Sequence, residues 1–309
     1  MRPSIVFCAL RIEPMSILVV GEALIDIVSS AGAPDRYAPG GAPANVALGL
    51  GRLGADVELL TDVGDDFHGG YLLAHLRESA VRVHARPTGS TSTARARLSP
   101  DGSAEYDFSL RWAPDASLVE SADWSAIHVG SIAAFLSPGA AAVDSLLQRG
   151  RASSALLSFD PNIRPTIIGD QEQALARFES LASRVDVIKL SDVDADWLYP
   201  GQSSDAQMDQ ILRLGAQAVA LTCGSEGSIL STASARVRVP AGAVKVRDTI
   251  GAGDSFMTSL VHDLQGTHPR LEDMNEDTLA HLGENASRRA AITVGRAGAD
   301  LPWASEENA

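Results

Sequence analysis

Short, continuous apolar runs alternate along most of this chain with segments whose apolar residues recur every three or four positions. The runs at 17–21, 57–62, 126–129, 156–160, 187–190 and 218–222 have the length of strands buried on both faces. Between and after them, helical spacing predicts helices at 43–53 (Val46, Leu50, Leu53), 67–79 (Leu72, Leu76), 139–149 (Val143, Leu146, Leu147), 171–184 (Leu175, Phe178, Leu181) and 255–265 (Phe256, Met257, Leu260, Val261, Leu264). Apolar strands alternating with amphipathic helices predict an α/β fold: a mainly parallel central sheet covered by helices on both faces.

One stretch departs from that rhythm. At 93–110, Tyr106, Phe108 and Leu110 alternate with polar residues, and Asp101-Gly102 is a strong hairpin turn. This predicts a half-exposed antiparallel ribbon, suited to a lid, an oligomer contact or simple decoration. The chain has no internal repeat, low-complexity tract or Pro/Ser-rich linker. The expected organisation is a single domain over 15–305, with a β lid from about 30–40 and 93–112 and a disordered extension at 1–14. In that extension the apolar run from Ile5 to Leu10 is too short for a signal peptide, and Arg11 and Glu13 break the pattern immediately after it.

Composition narrows the function classes. The 309 residues are 45% hydrophobic and carry a formal charge of −14, which argues against nucleic acid or an anionic membrane as a partner. No run approaches the roughly 18 apolar residues of a membrane span. Cys8 and Cys223 have no ligand or redox spacing, so reduced thiols and a cytoplasmic location are expected. An acidic protein that binds a nucleotide must draw positive potential from backbone amides, a metal ion and a few Arg or Lys.

The strongest chemical signal is Asp248-Thr249-Ile250-Gly251-Ala252-Gly253-Asp254, directly before the helix at 255–265. Glycines opening a helix expose backbone N–H groups at the positive end of its dipole, a setting for phosphate. A carboxylate beside that site adds nothing to phosphate affinity. It suits a general base that takes the proton of an attacking hydroxyl. The competing reading is a tight turn with Asp254 as a helix cap.

Four further segments accompany it. Gly21-Glu22-Ala23-Leu24-Ile25-Asp26 ends the first strand, so Asp26 is expected at the carboxyl edge that faces a ligand crevice, or as a solvated strand-end carboxylate. Gly40-Gly41-Ala42-Pro43-Ala44-Asn45 opens a helix, with Pro43 in its first turn and an Asn45 amide able to donate to and accept from sugar hydroxyls. Asp160-Pro161-Asn162-Ile163-Arg164 clusters polar groups at another strand end, where Arg164 suits a phosphate or substrate contact or a surface salt bridge. Thr222-Cys223-Gly224-Ser225-Glu226-Gly227 is a glycine turn that suits a nucleotide phosphate or a plain strand connection. Neither a Gly-x-x-x-x-Gly-Lys-Ser/Thr loop nor a His-Arg-Asp loop occurs, so the two commonest kinase designs are absent.

Together these motifs, in this order from about 17 to 303, resemble the PfkB, or ribokinase-like, family of carbohydrate kinases. Residues 40–45 look like its N-terminal signature and 248–254 like its C-terminal one. The resemblance implies a ribokinase-like fold and transfer of a phosphoryl group from ATP to a sugar, which binds under a closing lid. It implies Asp254 as base and Gly251, Ala252 and Gly253 as the anion hole. Asp26, Gly41 and Asn45 would hold the sugar, with Asn162 and Arg164 nearby; Thr222, Gly224 and Gly227 would line ATP, with Asn285 near its base. Gly64-Asp65-Asp66 with Gly69 resembles a structural turn of the family. Ser191-Asp192-Val193-Asp194 stands where the family has Asn-x-x-Glu, so Asp194 would reach Mg²⁺ through water, a methylene shorter than usual. Asp248 and the Ile250 carbonyl would be ligands for K⁺, and Ser259 stands where glycine is common. Gly-Glu-Ala-Leu-Ile-Asp at 21–26 and Phe-Asp-Pro-Asn-Ile-Arg at 159–164 look most like fructokinases. A nucleoside kinase, with Tyr106 and Phe108 stacking on a base, and a non-catalytic sugar- or nucleotide-binding protein are the alternatives, and a homodimer through the lid is the expected assembly.

Overall fold

All five residues of the first strand, β1 (Ser16–Val20), are buried, because each face of the strand meets a helical layer. Ile17 and Val19 enter one core and Leu18 and Val20 the other, as the two-residue period of a strand requires. The computed structural model describes residues 15–30, 33–86, 89–98, 104–120, 123–265 and 271–306. The expected extension at 1–14 and the Asp101-Gly102 turn lie outside these.

The elements follow in the order β2 (Leu24–Ser30), β3 (Arg36–Gly40), α1 (Ala42–Arg52), β4 (Val57–Leu60), α2 (Phe67–Glu78), β5 (Arg82–His84), β6 (Thr93–Leu98), β7 (Ala104–Ser109), β8 (Trp124–Gly130), α3 (Ala140–Ala152) and β9 (Leu156–Asp160). Then come α4 (Pro165–Ile168), α5 (Gln171–Ala182), β10 (Val187–Ser191), α6 (Asp192–Leu198), α7 (Ser204–Leu214), β11 (Ala218–Thr222), β12 (Ser228–Thr232), β13 (Arg236–Val239), α8 (Ala252–Leu264) and α9 (Glu276–Val294).

Nine strands form the central sheet in the order β13-β12-β11-β10-β9-β8-β1-β4-β5. From β11 to β5 every pairing is parallel; β12 and β13 add an antiparallel edge. One face packs against α1, α2, α8 and α9 through Val46, Leu50, Leu72, Met257, Leu260 and Leu279. The other packs against α3, α5 and α7 through Leu146, Phe178 and Ile211. The predicted α/β fold, a parallel sheet between two helical layers, is the one observed.

The segment expected to form a lid differs from expectation in a way that moves a candidate site residue. The chain leaves the central sheet after β1, at Gly21, and restarts as β2 in a second sheet ordered β3-β2-β6-β7. Asp26 therefore sits on a strand of the second sheet and not at the end of the first strand of the central sheet. In β2 the buried Ile25 and Ile27 alternate with the half-buried Asp26 and Val28, the pattern of a sheet with one open face. The segment 93–110 is likewise no free-standing ribbon: β6 and β7 pair antiparallel, and β6 also pairs parallel with β2. The return strand is tied to the main body where Asp62 Oδ2 accepts the Ala113 N–H at 2.9 Å. Among the described residues, no helix is long and apolar enough to cross a membrane.

Candidate active site

Parallel strands aim their carboxyl ends at one edge of a sheet, and many of the predicted residues, though not Asn285, gather there. β1 ends before Glu22, β9 ends in Asp160 and β10 ends in Ser191. Two helices, α1 and α8, start above this edge and pack against each other. Their N-caps are Gly41 and Gly251, with φ of 99° and 79°, conformations that favour glycine; neither helix has a side-chain cap. Ala252 N–H makes a long bond of 3.3 Å to the Thr249 carbonyl, whereas the N–H groups of Gly251 and Gly253 have no hydrogen-bond partner among the described residues. The start of α8 thus offers unsatisfied donors at the positive end of a helix.

Asp254 lies in the first turn of α8 and is 9% exposed. Asn45, in the first turns of α1, donates from Nδ2 to Asp254 Oδ2 at 2.7 Å, so the two signature motifs meet through this bond. Burial raises the Asp254 pKa, and the Asn45 donor and then the charges of Lys189 and Arg164 draw it back. This is not the geometry of a plain cap, since the carboxylate's partner is the amide of another helix.

Asp26 shares the site. Its pKa is pushed up to about 6 by burial, with Arg164 lowering it and the Asp254 charge raising it. Arg164 precedes α4 and holds its own loop, Nη1 donating to the Asn162 and Ile163 carbonyls at 3.3 and 3.0 Å. Its charge also acts on Glu22, so it serves the cluster and is not a remote surface ion pair. Asn162 takes a φ of 38° and donates its N–H to Asp160 Oδ1 at 3.3 Å.

Asp194 closes a capping box with Ser191, as its sequence position allows. Its Oδ2 accepts the Ser191 N–H at 3.2 Å and its Oδ1 the Ile163 N–H at 2.9 Å, which ties α6 to the 160–164 loop. Asp248 accepts the Gly298 and Ile250 N–H groups at 2.8 and 3.1 Å, and these donors lower its pKa. The turn at 248–250 is thereby joined to the segment after α9. Thr222 ends β11, with Oγ1 donating to the Leu190 carbonyl at 3.4 Å. Gly224 has open space around it, whereas a Cβ on Gly227 would lie 2.1 Å from the Val239 carbonyl, so that glycine serves the strand packing. Asn285 stands apart: its amide donates to Asp263 at 3.2 Å, near the C-terminal end of α8, and the α9 residues beside the exposed 240–247 loop are Ser287 and Ala291.

Other residues find simple causes. Asp66 caps α2 and accepts the N–H groups of Gly69 and Thr91 at 2.8 and 2.9 Å, a structural role. Ser259 accepts from the buried Arg289 at 2.6 Å. Two buried charged groups beside the site have no role assigned from the sequence: Lys189, which lies in no motif, and Glu22, which lies within the 21–26 motif. Lys189 Nζ lies 2.9 Å from Asp160 Oδ2. Glu22 accepts the Ala133 N–H at 3.2 Å, and burial pushes its pKa to about 7. For Lys189 the one sequence signal is a lysine inside an otherwise apolar strand.

The profile of the pfkB family of carbohydrate kinases matches residues 15–306. This chain belongs to the PfkB family. A fructokinase of Rhizobium leguminosarum bv. trifolii is 36% identical over 278 residues, covering 85% of each chain. The fructokinase of Xylella fastidiosa, solved with bound ATP, superposes with a TM-score of 0.86 at 27% identity, over 96% of this chain and 98% of that one. A double mutant of the fructokinase of Vibrio cholerae, solved with fructose, ADP and potassium, gives a TM-score of 0.80 at 25% identity, over 94% and 95% of the two chains. The chain is accordingly a fructokinase-like, ATP-dependent sugar kinase with the PfkB fold.

Proposed function

We propose that this PfkB kinase transfers the γ-phosphoryl group of ATP to the primary hydroxyl of D-fructose, giving fructose 6-phosphate and ADP. The observation that carries the mechanism is the buried Asp254 at the N-terminus of α8, hydrogen-bonded to Asn45 and flanked by free amides. Asp26, Gly41 and Asn45 hold the sugar hydroxyls, with Asn162 and Arg164 at the rim. The hydroxyl oxygen attacks phosphorus in line while its proton passes to Asp254; the bond to ADP breaks, and the proton later leaves to solvent. The amides of Gly251 and Gly253, with Ala252, face the charge that develops on the phosphoryl oxygens. The second sheet closes over the sugar and excludes water that would otherwise take the phosphoryl group.

Thr222 and Gly224 line the phosphates of ATP, and the exposed 240–247 loop with Ser287 and Ala291 lies toward its base. Among the described residues no three His, Cys, Asp or Glu side chains gather as a metal centre. The donors present suit Mg²⁺ that arrives on the nucleotide and is reached through water, with Asp194 the candidate outer ligand. Bound Mg²⁺ supplies charge neutralisation at the phosphates. Asp248 and the Ile250 carbonyl are candidate ligands for K⁺. The edge strands β3 and β7 of the second sheet suit pairing with another copy, which sedimentation at several concentrations tests.

The choice of fructose rests on the fructokinase relatives and on the motifs at 21–26 and 159–164. A coupled ADP-release assay with ATP and Mg²⁺ over fructose, ribose, glucose, 2-keto-3-deoxygluconate, tagatose 6-phosphate and adenosine tests it. Turnover on fructose above all others is the expected result. Preference for another acceptor moves the substrate, and silence on every acceptor, with and without K⁺, removes the reading.

A further inference from the structure

Lys189 is a buried charge with no part in the chemistry proposed for Asp254 and the sugar. It sits in the middle of β10 between Ile188 and Leu190, and its side chain is 5% exposed. Ionising so buried an ammonium is costly unless carboxylates surround it. Its Nζ donates to Asp160 Oδ2 at 2.9 Å, and it lies 2.8 Å from where a Cβ on Gly253 would stand. Gly253 therefore gives the ammonium room directly beneath the backbone of the anion hole.

We propose that Lys189 is a positioning residue for phosphoryl transfer, a fixed positive charge under the Gly253–Asp254 turn that keeps Asp254 able to accept a proton and adds to the positive lining of the anion hole. This rests on the reading of Asp254 as base. The charged groups around Asp254 are Lys189 from β10, Arg164 ahead of α4, Asp26 from β2 and Asp160 from β9. Asp194 at the start of α6 acts on Lys189 and Asp160 in turn. The neighbouring His128 of β8 is neutral, its pKa driven to about 3 by burial and by Lys189. Burial raises Asp160 to about 6, still below neutrality, so Lys189 and Asp160 form an ion pair at pH 7. Arg164 is exposed and screened by water. Lys189 is the cation that works on Asp254 from inside the protein.

The test is the pH profile of kcat for wild type, Lys189→Met and the double variant Lys189→Met/Asp160→Asn, each with its melting temperature. The double variant leaves no unpaired buried charge and guards against misfolding of the single one. Loss of an opposite charge near a carboxylate raises its pKa by about 1 unit or more. The acid limb of kcat should therefore move up by about 1 unit in Lys189→Met, with roughly tenfold lower kcat on that limb and little change in sugar KM. It should move by less in the double variant, where loss of the Asp160 charge offsets part of the effect on Asp254. A folded Lys189→Met protein that keeps the wild-type kcat and acid limb overturns the proposal. So does a uniform loss at every pH with the limb unmoved, which is what displaced backbone alone would give. Asp254→Asn run in parallel separates the two ideas. If it turns over normally, the base assignment fails; if it is inactive while the Lys189 variants are normal, only the role of Lys189 fails.

Discussion

Asp26 and Asp254 are two carboxylates whose surroundings assign them different work. Asp254 has an amide donor fixed on it in the first turn of α8, whereas Asp26 comes from the second sheet and feels the charge of Arg164. Asp26→Ala should remove most sugar affinity while ATP binding persists; an unchanged sugar KM contradicts the assignment. Because burial holds the Asp26 pKa near 6, the carboxylate is the accepting form above that pH. Sugar KM should therefore rise as pH falls from about 7 to 5, and a flat KM would exclude Asp26 as the titrating contact. Types and spacings in the chain make 251–254 and Asn45 legible as candidates. The bond between Asn45 and Asp254 spans 209 residues and is produced only by the packing of α1 on α8. Lys189 reads as strand interior, since an apolar run absorbs a single charge unless its neighbours across the sheet are known.

At the scale of elements, the second sheet is anchored at its root by polar contacts. Asp62 accepts the Ala113 N–H, with Arg111 Nε 3.5 Å from the same carboxylate, and Ser92 bonds the Arg111 backbone at 2.9 and 3.1 Å. Asp62→Ala removes this tie; Ala113 is exposed, so its N–H passes to water and the loss is about 0.5–1.5 kcal/mol. If the second sheet guards the transferring group, ATP hydrolysis without sugar should rise relative to sugar-dependent turnover. A ratio equal to wild type would mark the sheet as decoration. The alternation at 106–110 announces a half-exposed strand, but β2 is hidden because its residues continue directly from the buried β1. Only the break at Gly21-Glu22-Ala23 separates the two sheets, and its consequence is topological. Short edge strands are equally hard to see: β5 (Arg-Val-His) and β13 (Arg-Val-Arg-Val) alternate charge with apolar residues and are too brief to stand out.

For the whole molecule, the parallel sheet and its two helical layers follow from alternating apolar runs, because both strand faces are buried. The cost of the site falls on the same core. Glu22 joins the end of β1 to the segment after β8 and is 4% exposed, with its pKa near 7. A carboxyl whose folded pKa is raised binds its proton more tightly folded than unfolded. Its contribution is thus fully present below about pH 4.5 and is lost as pH rises through about 7. In that window the loss is roughly 1.4 kcal/mol per pH unit. Glu22→Gln should therefore gain stability relative to wild type between pH 5 and 8 in urea denaturation, and a difference independent of pH would contradict it. The central claim is that this fold is a sugar kinase worked by Asp254. The direct measurement is kcat for ADP release on fructose by wild type and Asp254→Asn, with sugar Kd measured alongside. The account predicts a fall of about 10²–10⁴-fold with Kd little changed. Near-normal turnover by Asp254→Asn would leave Asp254 a structural carboxylate and contradict the mechanism.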